Sequence, residues 1–202
     1  LPGPKKCGCN SVSCAAFSQA CDTATGACAE CTEPAADATE VFVDAQAPTF
    51  TIARPRGTQA CPFYTISAAL DWARGHPSVT TVRVAAGTYS KDEAFPLDVR
   101  GLTVLGAGST TTLVRGQGTF DRTALEGQLA FADMRATIIA GHPTRVTRVE
   151  GMTLQRPTEL TAMDEKDSAL LCDQGNITER SPASVPAANT ILRDLVIAKG
   201  YA

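Results

Sequence analysis

The sequence is short of aromatic residues, of histidine, of excess positive charge and of long apolar runs. Aromatics make up 5% of 202 residues, with one tryptophan, Trp72. A core must therefore be built from small and β-branched side chains, which suits stacked strands. The two histidines, His76 and His142, do not assemble a Ser-His-Asp set, and His76 beside Pro77 reads as a residue at the C-terminus of a helix. Eighteen basic residues face 21 acidic ones. The excess of three lies in residues 1–40, where Lys5 and Lys6 oppose Asp22, Glu30, Glu33, Asp37 and Glu40. No basic stripe of the kind a phosphate backbone requires is present, so nucleic acid is not an expected partner. No run approaches ~18 apolar residues, so no membrane-spanning helix is expected.

Apolar residues at 44% and charged residues at 19% are ordinary for a packed domain. Cysteine is concentrated: Cys7, Cys9, Cys14, Cys21, Cys28 and Cys31 fall within a stretch of Gly, Ser, Asn and Asp with little apolar content. Such a stretch cannot fold on a hydrophobic core and needs staples. Zinc is the rival reading of Cys28-x-x-Cys31. A second CxxC and any His are missing there, and six ligands exceed one structural site. Three disulfides confined to Cys7–Cys31 are expected, in any of 15 connectivities, and with them an extracellular or cell-surface setting. Parity then suggests a Cys61–Cys172 pair, although stacked strands would place the two several rungs apart, beyond the ~7 Å reach of a bridge.

Residues 1–33 thus form a cysteine-rich module, 34–40 a Pro/Ala/acidic linker, and 41–202 a separate body. The body contains one convincing helix, over 65–75. Thr65 is its N-cap, and Ile66, Ala69, Leu70 and Ala73 follow the i, i+3, i+4, i+7 rule. The rest reads as strands, and some repeat. Val99, Val149 and Leu192 align in one column, followed by Arg100, Glu150 and Arg193; then Gly101, Gly151 and Asp194; then Leu102, Met152 and Leu195. The Gly/Asp column marks a bend that tolerates positive φ. The Arg/Glu/Arg column predicts an outward ladder of alternating charge. A second frame, Thr112–Gly116, matches Thr137–Gly141, and fainter strands fit at Leu129–Phe131 and Ala169–Cys172. Strand starts stepping by roughly 19 to 27 residues indicate a solenoid. The fold expected is all-β, a parallel β-helix whose first end is covered by the helix, because an open stack of strand edges invites pairing with other chains.

A resemblance supports this. Residues Gly57–Gly116 resemble the opening domain of bacterial extracellular right-handed β-helix proteins of the pectin-lyase-like superfamily. The shared residues are Pro62, Phe63, Thr65 and Ile66; Gly87, Thr88 and Tyr89; Phe95, Pro96 and Leu97; and the Gly101–Gly106 strand. The resemblance implies a right-handed coil and carries no activity over. Some relatives cleave acidic polysaccharides, and others are adhesins or passive surface proteins. The clustered Asp, Gly-His-Gly and Arg-x-Lys signatures of the cleaving relatives are not in this sequence.

Candidate binding residues are Arg54 and Arg56, a fork for a carboxylate, and the cluster Asp164, Lys166, Asp167 and Asp173. Carboxylates on one loop suit Ca²⁺, with Lys166 as a base; the calcium-loop spacing is absent, and a solvated loop accounts for the same residues. No cofactor or metal is otherwise expected. The function expected is a non-catalytic binding or structural role toward a surface polysaccharide or another protein chain. The alternative is a polysaccharide lyase or glycoside hydrolase with catalytic rungs beyond residue 202. At the last strand, Leu195 and Ile197 are expected to face water, so that the chain either continues or associates end to end through 191–199.

Overall fold

A computed structural model describes residues 19–22, 27–47, 56–90, 92–116, 135–140, 142, 144–155, 167–172 and 190–198. Twelve strands and one helix lie among them. β1 (Gln19–Asp22) and β2 (Ala27–Glu30) form an antiparallel pair in the cysteine-rich head, with Cys21 opposite Cys28. All other pairings are parallel. They join β3 (Glu40–Val43), β4 (Thr81–Val84), β5 (Gly87–Tyr89), β6 (Leu97–Asp98), β7 (Thr103–Gly106), β8 (Thr112–Arg115), β9 (Arg135–Ala140), β10 (Thr147–Gln155), β11 (Asp167–Cys172) and β12 (Thr190–Ala198).

These strands fall into three stacks. β3, β4, β7 and the first half of β10 lie side by side, with the first half of β12 beyond. β5, β8 and the second halves of β10 and β12 form the next. β6, β9 and β11 form the third. β10 and β12 serve two stacks because each bends in the middle, at Gly151 (φ 68°) and Asp194 (φ 42°). The arrangement is compatible with a β-helix.

The alternation of buried and outward residues sets the core. Val41, Val82, Val104 and Val149 occupy one continuous register column, each at most 1% exposed. Tyr89, Val114 and Leu154 make a second. Leu97 and Ile138 belong to a third. At β12 these columns meet water: Leu192 above Val149 is 40% exposed and Ile197 above Leu154 is 60% exposed, whereas Leu195 packs partly against the core.

Helix α1 (Ile66–Gly75) is the one expected. The Thr65 side chain accepts from the Ala68 N–H, and Ile66, Ala69, Leu70 and Ala73 are its buried face. It packs on β3, β4 and β6. The edge of β3 is covered as well: Phe42 N–H donates to Gly57 O, Phe63 N–H to Phe42 O, and Asp44 N–H to Phe63 O. Residues 57–63 and α1 together close this end of the stack.

Three expectations are corrected. Cys31 pairs with Cys61, Cα to Cα 5.5 Å, so the disulfides are not confined to the head and Cys61 does not pair with Cys172. The bond forms because residues 57–63 must lie against β3, within reach of the chain that enters it. The repeat alignment is right between β10 and β12, where Val149 faces Leu192, Glu150 faces Arg193 and Met152 faces Leu195. It is shifted by five residues for the earliest copy. Val104, not Val99, faces Val149, so Gly106 rather than Gly101 stands beside Gly151. Leu105, not Arg100, therefore lies beside Glu150, and the charge ladder is confined to Glu150 and Arg193. Finally, Thr112–Arg115 and Thr137–Ala140 belong to different stacks. Mixing stacks shortened the apparent period: the first stack returns after 41 residues (Val41 to Val82), 22 (to Val104), 45 (to Val149) and 43 (to Leu192).

Candidate functional site

Of the sequence-derived binding candidates, Arg56 and Asp167 lie among the described residues. Arg54, Asp164, Lys166 and Asp173 lie outside the described residues, as do Cys7, Cys9, Cys14 and the strand expected at Leu129–Phe131. Asp167 opens β11 and Cys172 ends it, opposite Ala140. Arg56 is half-buried, and burial lowers its pKa. Its Nη1 donates to Pro62 O at 3.0 Å, so it braces the segment that covers β3. His76 stacks on Trp72, ring centroids 3.5 Å apart, and its Nδ1 lies 2.8 Å from Trp72 O at the end of α1, as its place after the helix implied.

Among the described residues two polar clusters form, and of their members the repeats flagged only Arg100 and Leu102. The first lies at the start of α1. Glu93 accepts from Ile66 N–H (2.7 Å) and Ser67 N–H (2.8 Å), satisfying two donors that a helix N-terminus otherwise leaves open. Burial pushes the Glu93 carboxyl above its ordinary value, and the two backbone donors pull part of that back. Tyr64 donates to Asp92 at 3.3 Å nearby. Tyr89 sits beneath, its hydroxyl donating to Ala85 O and accepting from Ala45 N–H. Burial raises its pKa to about 12. The gap between these groups is about 90 Å³, room for little more than water. Both oxygens of Glu93 hold the helix, so this cluster is structural.

The second cluster lies at the other end of α1. A cavity of about 220 Å³ is lined by Ala73, Arg74, Pro77, Val79, Asp98, Arg100, Leu102 and Arg145. Asp98, at the end of β6, takes a fork of hydrogen bonds from Arg100, Nε to Oδ1 at 2.9 Å and Nη2 to Oδ2 at 2.8 Å. Burial acts to raise the Asp98 pKa, but the Arg100 hydrogen bonds and charge, joined by the Arg74 charge, outweigh it and hold the carboxyl below its ordinary value. Arg74, in the last turn of α1, donates to Asp98 O at 3.2 Å and to Asp71 at 2.5 Å.

Arg145 comes from the turn before β10. His142 Nδ1 accepts from the backbone N–H groups of Thr144 (3.1 Å) and Arg145 (3.0 Å), which fixes that turn. Gly101 (φ 74°) lies beneath it: a Cβ there would stand 3.1 Å from both Arg145 Cδ and His142 Cδ2. The glycine read as part of a repeated bend is thus also the seat of the Arg145 stem. Spacing alone did not reveal the cluster, because Arg74, the Asp98–Arg100 pair and Arg145 are separated by 24 and 45 residues and meet only when the chain coils. The Asp98-x-Arg100 pair was the one local signal.

Among the described residues, no group of three or more His, Cys, Asp or Glu is placed to hold a metal ion. No described helix is long and apolar enough to cross a membrane.

Comparison with known proteins finds one family model, described as protein of unknown function (DUF1565), matching residues 53–194. No curated protein and no solved structure matches the chain. The matched segment begins just before the covering residues of β3 and ends at the bend in β12, so it takes in α1, strands β4 to β11, the first half of β12 and the arginine-lined cavity. That family is common in right-handed β-helix proteins, and with more than half its length matched the chain belongs to it.

Proposed function

We propose that this chain is a secreted or cell-surface protein built as a right-handed parallel β-helix of the pectin-lyase-like kind, with a non-catalytic binding or structural role toward a surface glycan or another protein. Three stacks of parallel strands give a stiff scaffold whose outward positions are free to carry a binding surface. The Cys31–Cys61 bond and the cysteine-rich head fit an oxidising setting outside the cytoplasm.

The observation that carries the non-catalytic reading is the state of the carboxylates at the centre of the two polar clusters, Glu93 and Asp98. Glu93 spends both oxygens on the α1 N-terminus. Asp98 spends both on Arg100 and is held ionised. General acid–base work needs a carboxyl poised to exchange a proton within reach of substrate. Neither carboxylate is so placed, which favours binding over chemistry at these two clusters.

The test is adsorption of the fluorescently labelled chain to intact bacterial envelopes. Retention that is abolished by stripping either surface glycan or surface protein is expected and names the class of partner. Absence of retention on every envelope tried overturns the reading.

A further inference from the structure

Strand β12 differs from the strands it stacks on. Leu192 stands on Val149 and Ile197 on Leu154, yet the lower pair is fully buried while the upper pair is 40% and 60% exposed. The outward columns change character as well. Ile191 stands on Arg148 and Val196 on Thr153, and both of these apolar residues are exposed. A strand that is apolar on both faces is suited to burial on both. Among the described residues, β10 is its one strand partner. The opposite end of the stack is closed by residues 57–63 and α1, so the β3 edge of another copy is not free to receive it.

We infer that β12 is the contact surface for a second copy of this chain, paired strand to strand and antiparallel about a two-fold axis at its bend. The strand's own sequence carries the inference, because Ile191-Leu192-Arg193-Asp194-Leu195-Val196 is complementary to its reversal. With the axis between residues 193 and 194, Leu192 of one copy faces Leu195 of the other, Ile191 faces Val196, and Arg193 faces Asp194. The faces match too. Leu192 and Leu195 stand on the buried Val149 and Met152, so both hold inward positions; Ile191 and Val196 stand on the outward Arg148 and Thr153. A shift of one residue would set Leu192 against Val196, inward against outward, and Arg193 against Leu195. The symmetric register instead gives two Arg–Asp pairs, and opposite charges directly across a strand pair attract. Asp194 is already positioned for this. It accepts from the Ser109 N–H at 3.2 Å and the Ser109 hydroxyl at 2.6 Å, which ties the bend of β12 to the turn between β7 and β8. A carboxylate retains acceptor sites for a guanidinium beyond those two bonds. A like-to-like contact closes on itself, so assembly stops at two copies. The inference goes beyond the proposed function and stands independently of it, because the partner is the chain itself.

The experiment is static light scattering on the 202-residue chain over a concentration series. One short strand per copy makes a small interface, so the mass should climb from the 21.1 kDa of one chain toward twice that value between about 1 µM and 1 mM. Arg193→Glu sets two pairs of carboxylates across the axis and should weaken association by about tenfold or more. Asp194→Lys sets two pairs of cations there and should do the same. An equimolar mixture of the two variants restores both opposite-charge pairs and should associate about as tightly as the parent, a recovery that general loosening of the strand does not produce. Leu192→Lys leaves the bend alone, places a charge against the inward Leu195 of the other copy, and should abolish association. A chain that stays at one copy throughout the series overturns the inference; β12 amides protected from hydrogen exchange would then identify residues of the same chain as the cover. Mass that grows past two copies, or association indifferent to Arg193→Glu and Leu192→Lys, overturns it as well. So does a mixture that stays weak while Asp194→Lys keeps the circular dichroism of the parent.

Discussion

Removing the Cys31–Cys61 bond perturbs the covered end of the stack at its anchor. Cys61 is 2% exposed and belongs to the segment that satisfies the β3 edge. Replacing both cysteines with alanine avoids leaving a buried thiol or hydroxyl. The bond closes a loop of 30 residues. For that length the chain-entropy relation gives about 3.6 kcal/mol at 25 °C, an upper figure because the unfolded chain retains some order. With a urea m-value of roughly 2 kcal/mol/M, the midpoint should fall by up to about 1.8 M. The assay is urea unfolding followed by the fluorescence of Trp72, the one tryptophan in the chain. Trp72 stacks on His76 and lies 6.3 Å from Phe63, so it reports on the covering segment itself. Far-UV circular dichroism reports on the strands. The fluorescence midpoint should fall at least as far as the dichroism midpoint, because the cover loosens no later than the sheet. Unchanged midpoints in the Cys31→Ala/Cys61→Ala double variant, or peptide mapping that finds Cys61 bonded elsewhere, would refute the reasoning.

Other perturbations separate the elements. In one register column, Leu154→Ala should cost about 2–5 kcal/mol and Ile197→Ala less than about 1 kcal/mol, because Leu154 is fully buried and Ile197 is 60% exposed; urea midpoints check both. Gly106→Ala would drive a Cβ into the Gly151 carbonyl oxygen and should cost more than the ~1–3 kcal/mol of ordinary overpacking, whereas Gly75→Ala meets nothing within 4 Å and should stabilise the chain by up to about 1 kcal/mol. Glu93→Ala frees two donors at the start of α1 and should cost about 1–2 kcal/mol by thermal melting. The Glu93 pKa is raised in the folded state, so its contribution is complete below about 4.5 and declines as pH rises through the folded value; the stability difference between parent and Glu93→Gln should shrink or reverse over that interval. Asp98 runs the other way: its lowered pKa contributes stability above the unfolded value, lost as pH falls through the folded one, and Asp98→Asn should remove that acid-side loss.

The helix was legible because its signals are local. Thr65 caps three residues ahead, and four apolar positions at helical spacing mark one face. The Gly151/Asp194 bend was legible because both copies carry a residue that tolerates positive φ at the same offset. The earliest copy misled because two glycines, Gly101 and Gly106, stand five residues apart in the same strand region. Gly101 also has positive φ, but it turns the chain from β6 into β7, whereas Gly106 makes the close approach to Gly151. Local text does not reveal which glycine touches the neighbouring strand. Disulfide parity failed for a related reason: pairing follows the path of residues 57–63 across β3, and that path is a tertiary fact. The arginine cavity gathers Arg74, Asp98, Arg100 and Arg145 from a helix end, a strand end and two turns, and no spacing rule connects them.

In the role proposed above, the stacked scaffold binds without doing chemistry on its partner. It is tested most directly by incubating the chain with a panel of acidic and neutral polysaccharides and following polymer mass by size-exclusion chromatography with light scattering. Constant polymer mass at long times and high chain concentration, whether or not the chain co-elutes, is the predicted result. A polymer mass that falls with time, in proportion to chain concentration, would contradict it.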